Sequence, residues 1–218
     1  MAGALLIGSR RYSSWSLRGW LAVKLAKLDV EEKVIALKGG GKTTEIHALS
    51  PNKLVPYLQH DGAHVWESLA ICEYCAEHEP SLWPQDRVVR AHARSISAQM
   101  HAGFRPIRQN CPMDVERVPA PLSEISEDLA KDVALLSETL KGALLRSGTA
   151  TPYLFGDVLT VADCMYAPVA IRIHTYQLNV DPVVKAWVQS MLHHPLMKEW
   201  YGLADAEPAE WRLSYEDK

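Results

Sequence analysis

The sequence predicts an α/β domain followed by an all-helical domain. Three observations carry that reading. Short apolar runs alternate with helical periodicity up to about residue 80, a proline-containing break ("EPSLWPQD") spans 79–86, and helical periodicity fills almost everything after it. The expected domains are 1–80 and 87–218.

Residues 5–8 form a short apolar run that reads as a buried strand. From 16 to 28, Leu17, Trp20, Leu21, Leu25 and Leu28 recur at helical spacing, with Lys24 and Lys27 outside. Residues 32–37 suggest a second strand. "VPYLQHDGAHVWES" places Asp61-Gly62 between two short apolar segments, which is a hairpin signal. A helix is expected from Ser68 towards His78. Beyond the break, one helix is expected over 87–108. A second covers 123–146, with Ile125, Leu129, Val133, Leu136, Leu140 and Leu144 on one stripe and Gly148 ending it. Thr160 and Asp163 resemble a capping box opening a helix to about Gln177, Asp163 standing where Glu or Gln is usual. Asp181-Pro182 and His194-Pro195 open two more.

The 218 residues are 48% hydrophobic and 22% charged, as in ordinary globular proteins. A net charge of -3 gives no pointer to nucleic acid or an anionic membrane, and neither is expected as a partner. No apolar run is long enough to span a bilayer. Residues 1–8 lack a basic segment and a long apolar stretch, so no signal peptide is expected. Four cysteines are no disulfide framework for this length, and a reducing, cytoplasmic setting is the expectation.

Two motifs suggest chemistry that their context opposes. "ALKGGGKTT" (36–44) fits a loosened phosphate-binding loop, but its first glycine is Ala36, and Ser50-Pro51 stops any helix soon after Thr43. A flexible glycine loop is the better reading. Cys72-Glu-Tyr-Cys75 is a C-x-x-C pair inside a helix, away from the helix start that would lower a thiol pKa. It supplies only two of the four ligands of a structural zinc. Packed core thiols are expected, and no metal.

The informative residues lie at three element starts. In "RYSSWSLRGW", Ser13, Ser14 and Ser16 crowd the first strand-to-helix turn. One hydroxyl can cap the helix, which leaves another to donate to an anion at the positive helix end. Val55-Pro56 precedes a strand. A cis bond there would turn the Val55 N–H and C=O outward for an extended peptide, and an ordinary strand-start proline is the plain alternative. Glu67-Ser68 starts a helix, where amides and a hydroxyl suit a carboxylate and Glu67 suits an ammonium. Simple capping is again the alternative.

In this order, and with "YSSWSLRGWLAVKLA", "SPNKLVPYLQHDG", "WESLAICEYCAEH" and "LTVADCMYAPVA", the chain resembles the cytosolic glutathione transferases of the serine type over nearly its whole length. The resemblance implies a thioredoxin-like first domain and an all-α second domain, with glutathione as cosubstrate and a homodimer. It implies that Ser13 or Ser14 faces the glutathione thiol. Ser13 is the first candidate, since it keeps the family's spacing to Arg18. By the same resemblance Trp15, Lys42, Lys53, Leu54, Val55 and Pro56 line the peptide, and Glu67 and Ser68 hold the γ-glutamyl end. His101, Phe104, Arg105, Arg108 and Arg172, with His174 nearby, are candidates for the electrophile pocket; a solvated basic face is the alternative for them. The pattern S-S-x-S-x-R is similar to the zeta class, which carries cysteine where Trp15 stands and usually Gln-Ser where Glu67-Ser68 stands. The implied activity is glutathione addition to a small hydrophobic electrophile. The alternatives are a zeta-type (maleylacetoacetate) isomerase and a glutathione-binding ligand carrier.

Overall fold

Short apolar segments bounded by turns form the first half into a four-stranded mixed sheet of order β2-β1-β3-β4. The computed structural model describes residues 3–39, 42–146 and 150–213. Strand β1 (Gly3–Gly8) lies parallel to β2 (Val30–Ile35) and antiparallel to β3 (Tyr57–His60), which pairs antiparallel with β4 (Ala63–Trp66). The β3–β4 turn is Asp61-Gly62, both at positive φ (48° and 80°), as a tight hairpin requires. Helix α1 (Ser14–Leu25) connects β1 to β2, and α2 (Ser68–His78) follows β4. The short 3-10 turn Thr44–Ala48 is all the helix that follows Thr43, so no phosphate-binding helix exists there; Gly41 lies outside the described residues.

The second half is helical: α3 (Arg87–Ala102), α4 (Arg105–Asn110), α5 (Glu127–Leu144), α6 (Val161–Thr175), α7 (Pro182–His193) and α8 (Pro195–Asp205). Helix α6 is buried nearly all round and packs on α1, α3 and α7, so it is the axis joining the halves. Its start is fixed by Asp163, whose carboxylate accepts the Thr160 N–H (2.9 Å), the Leu154 N–H (2.9 Å) and the Trp187 indole N–H (3.1 Å). Arg18 Nε of α1 donates to the Met165 carbonyl of α6 (2.9 Å), and Tyr166 donates to the Ile96 carbonyl of α3 (3.0 Å).

Several expected boundaries move. Residues 87–108 are two helices. Gly103 ends α3, Phe104 adopts a left-handed conformation (φ 58°), and Pro106 restarts the chain as α4. Pro106 has no N–H to donate to the Ala102 carbonyl, so α3 does not run on through it, and the Arg108 guanidinium takes carbonyls that the break exposes. Helix α5 starts at Glu127 rather than 123, because Ser126 caps it through the Leu129 N–H, and Ile125 is left exposed. The proposed terminator Gly148 lies outside the described residues. The 79–86 break is packed rather than loose: Leu82 and Trp83 are buried, and the Trp83 indole donates to Glu73 (2.9 Å).

Candidate active site

Helix α1 begins at Ser14, and Ser13 is its cap. The Ser13 hydroxyl oxygen accepts the Ser16 N–H (3.3 Å), and the same hydroxyl donates to Ser16 Oγ (2.7 Å). Ser16 Oγ in turn accepts the Gly8 N–H (3.0 Å), tying the helix start to β1. Ser14 is also buried, but its hydroxyl makes no hydrogen bond among the described residues. Both Ser13 and Ser14 line a cavity of about 500 Å³ between the two halves. Its apolar lining includes Leu37, Ile46, Pro112 and Met113, and Arg108 and Arg172 supply cations.

A side pocket of about 180 Å³ adjoins this cavity and shares Trp15, Leu54 and Val55 with it. Val55-Pro56 is cis, as expected, and the Val55 N–H and C=O carry no hydrogen bond among the described residues. Gly19 of α1 lies against Pro56, where a Cβ would come within 3.1 Å of the ring. Glu67 and Ser68 close the side pocket at the start of α2. Ser68 Oγ is buried and unpartnered, which is costly unless a ligand completes it. Glu67 sits at positive φ (69°), accepts the Asn52 side-chain N–H (3.2 Å) and lies 3.6 Å from His101 Nε2. Hydroxyl, free backbone amide and carboxylate thus line two adjoining compartments.

Trp15 divides the two compartments. The guanidinium carbons of Arg18 and Arg108 lie 4.4 and 4.6 Å from its ring centre, and His101 meets it edge-on at 5.4 Å. Arg18, Arg108 and Arg172 form no ion pair among the described residues. Burial lowers the Arg18 pKa well below its usual value, helped by Arg108 and Arg172. Burial, then Arg108, lowers Arg172 to about 10. Nη1 and Nη2 of Arg18 and Nη1 of Arg172 have no partner. Buried cations without a carboxylate partner are costly to the fold.

The remaining expected residues divide. Lys53 and Leu54 line the main cavity. Lys42 is exposed and lines neither compartment. Of the electrophile-pocket candidates, Arg108 and Arg172 reach the cavity. His101 turns instead to Glu67 and Trp15, Phe104 is buried in the core, and Arg105 is exposed and off the cavity. His174 lines a separate groove with Arg117. Asn52, Met113 and Leu213 were not foreseen, and neither was the burial of Arg18, although an arginine set among Leu17, Gly19 and Trp20 was a signal for it. Burial pushes the Cys75 thiol up to about 12 and Cys72 well above its usual value, so the C-x-x-C pair is inert core. Among the described residues no cluster of His, Cys, Asp or Glu is placed to hold a metal, and no helix is long and apolar enough to cross a membrane.

A thioredoxin-like sheet whose cis-proline cleft opens onto a helical domain defines the fold of the glutathione transferases. Residues 12–78 match the glutathione S-transferase N-terminal domain, and residues 113–190 match the glutathione S-transferase C-terminal domain. The mouse maleylacetoacetate isomerase (Mus musculus) is 32% identical over 190 residues, covering 83% of each chain. A glutathione transferase homologue from Burkholderia BGR1, solved with glutathione, superposes with a TM-score of 0.71 at 23% identity, over 95% of this chain and 100% of that one. A maleylacetoacetate isomerase from Anaeromyxobacter dehalogenans 2CP-1, solved with dicarboxyethyl glutathione and citrate, gives 0.66 at 21%, over 95% and 97%. The chain belongs to the glutathione S-transferase family.

Proposed function

We propose that the protein is a glutathione-dependent isomerase of the maleylacetoacetate type, acting on a carboxylate-bearing cis-diketo acid. One observation carries the reading: Arg108 and Arg172 line the cavity beside the serines with no acidic partner, and Arg18 stands behind them. An apolar electrophile would leave these cations uncompensated, whereas a diacid neutralises them. The similarity to the mouse isomerase agrees with this.

In this reading residues 1–80 hold glutathione and 87–218 supply the arginine side of the second-substrate compartment. Val55 pairs with the peptide backbone through its free N–H and C=O. The Ser68 hydroxyl, buried without a partner, and the α2 amides take the γ-glutamyl carboxylate, while Glu67 faces its ammonium. Bound glutathione supplies a thiolate, a nucleophile able to add reversibly to an electron-poor double bond. Ser14 donates to that sulfur at the positive start of α1. We choose Ser14 over Ser13 because Ser13 Oγ is already engaged, capping the Ser16 N–H and bonded to Ser16 Oγ, whereas Ser14 Oγ has no partner among the described residues. Arg108 and Arg172 orient the carboxylates and stabilise negative charge that develops on the adjoining carbonyl. We place the protein in the cytoplasm as a homodimer; a species near 24.3 kDa by sedimentation at micromolar concentration contradicts the dimer.

Conjugation to an apolar electrophile is the second reading, favoured by Leu37, Ile46 and Met113 in the lining. Steady-state assays with maleylacetoacetate and with an aryl halide, at equal glutathione, separate the two. The isomerase reading expects the higher kcat/KM with the diacid. Aryl halide turnover with the diacid untouched rejects it in favour of a transferase. No turnover of either substrate, with glutathione still bound, leaves a ligand carrier.

A further inference from the structure

The cavity has a wall that neither matched family domain covers. The chain leaves α8, folds back across the loop between β1 and α1, and reaches the cavity at Leu213. It is held there by Arg11, whose Nη2 donates to the Glu207 carbonyl (2.6 Å) and Nη1 to the Pro208 carbonyl (3.0 Å). Arg11 Nε donates to Glu116 (2.7 Å), and the same carboxylate takes two bonds from Arg212 (2.9 and 3.2 Å). The Leu213 N–H donates to the Tyr12 hydroxyl (3.0 Å). The Arg10 N–H donates to the buried Glu207 carboxylate (2.6 Å), and the Trp200 indole donates to the Arg10 carbonyl (3.1 Å). Three stretches far apart in sequence, 10–12, 114–116 and 207–213, thus meet one residue before the serines. The Leu213 side chain lies over Gly39, where an added Cβ would come within 3.7 Å of it.

The Glu116 carboxylate thus clasps two arginines, Arg212 at the surface through a bidentate pair and Arg11 nearly fully buried beneath it. It sets one leucine at one place in a cavity whose opposite demand, for an anion, is met by arginines. We propose that Leu213 is a specificity-determining residue that bounds the space beyond the glutathione sulfur with an apolar wall, and that Glu116 is the positioning residue that holds it there. The inference rests on glutathione occupying the cleft as described above, and it is independent of which reaction follows.

S-alkyl glutathiones read that space without turnover. Calorimetry with S-methyl- and S-hexylglutathione is run on wild type, Leu213→Ala and Glu116→Gln. In wild type the hexyl compound binds at least about tenfold tighter, because each methylene buried fully is worth about fourfold. In both variants that ratio falls at least about threefold, while the S-methyl Kd stays within about twofold, since the clasp does not touch the peptide subsites. Leu213→Trp, which fills the space, also lowers the hexyl affinity and spares the methyl compound. An unchanged hexyl-to-methyl ratio in Leu213→Ala and Leu213→Trp overturns the assignment of Leu213. A ratio that falls in Leu213→Ala but not in Glu116→Gln overturns the role of Glu116. If S-methylglutathione does not bind wild type at all, the glutathione reading fails and takes this one with it.

Discussion

Replacing Ser14 by alanine separates a catalytic hydroxyl from a structural one standing beside it. Ser14 Oγ has no partner among the described residues, so removing it costs the fold little. If it donates to bound sulfur, the loss is that of a hydrogen bond to a charged group, about 1.5–3 kcal/mol. At 1.36 kcal/mol per unit, this raises the bound thiol pKa by about one to two units, back towards the thiol reference of about 8.5. Near neutral pH the thiolate fraction and the turnover then fall roughly eight- to twenty-five-fold. Ser13→Ala makes the opposite pair of changes. Its oxygen caps α1 through the Ser16 N–H, so about 0.5–2 kcal/mol of stability is lost. The bound thiol pKa moves little. Thiolate ultraviolet absorbance, titrated against pH in the glutathione complex, reads the first quantity, and thermal denaturation reads the second. If Ser13→Ala abolishes the thiolate while Ser14→Ala keeps it, the assignment reverts to Ser13. If neither variant moves the pKa or the turnover, no serine hydroxyl holds the sulfur.

Three further outcomes follow from the same geometry. Ser68→Ala weakens glutathione about 10- to 150-fold by calorimetry, the worth of a charged hydrogen bond, with no loss of melting temperature because its oxygen has no protein partner. Arg172→Met raises the KM for a diacid by a similar factor, while removing a buried cation that no acid neutralises offsets the lost bond from Nε to the Cys111 carbonyl (2.8 Å), so the melting temperature changes little. Unchanged diacid KM, or a sharply lower melting temperature, counts against the anion pocket. Hydrogen bonds from Arg212 and then Arg11 hold the Glu116 carboxyl below its usual range. Its folded pKa therefore lies below its unfolded one, so the clasp is complete above the ordinary glutamate range and weakens as pH falls through the lower folded value. The hexyl-to-methyl affinity ratio in wild type should decline over that acid range and stay flat from pH 5 to 8.

The parts legible in the sequence were those written locally. The Asp61-Gly62 turn, the Thr160/Asp163 helix start and the Val55-Pro56 and Glu67-Ser68 element starts each depend on neighbours within a few residues, and each appears where expected. The break at Gly103–Phe104 was also local, since Pro106 cannot donate to a helical partner four residues back, but the apolar periodicity across it masked the signal. Which serine caps and which is free depends on a hydroxyl proton shared with Ser16, a geometry that spacing alone does not distinguish. The arginine cluster and Leu213 had no local signature. Arg18, Arg108, Arg172 and Leu213 meet only because α6 joins the halves and the chain after α8 returns to the β1–α1 loop.

The central claim is that glutathione acts here as a recycled nucleophile on an anionic diketo acid. The most direct test is its stoichiometry. Purified protein is given maleylacetoacetate in large excess over glutathione, and both the trans product and the free thiol are followed to completion. The account predicts that substrate is converted many times over per glutathione, that the thiol titre at the end equals that at the start, and that no conversion above background occurs without glutathione. One glutathione consumed per substrate, or conversion that does not depend on glutathione, would contradict it.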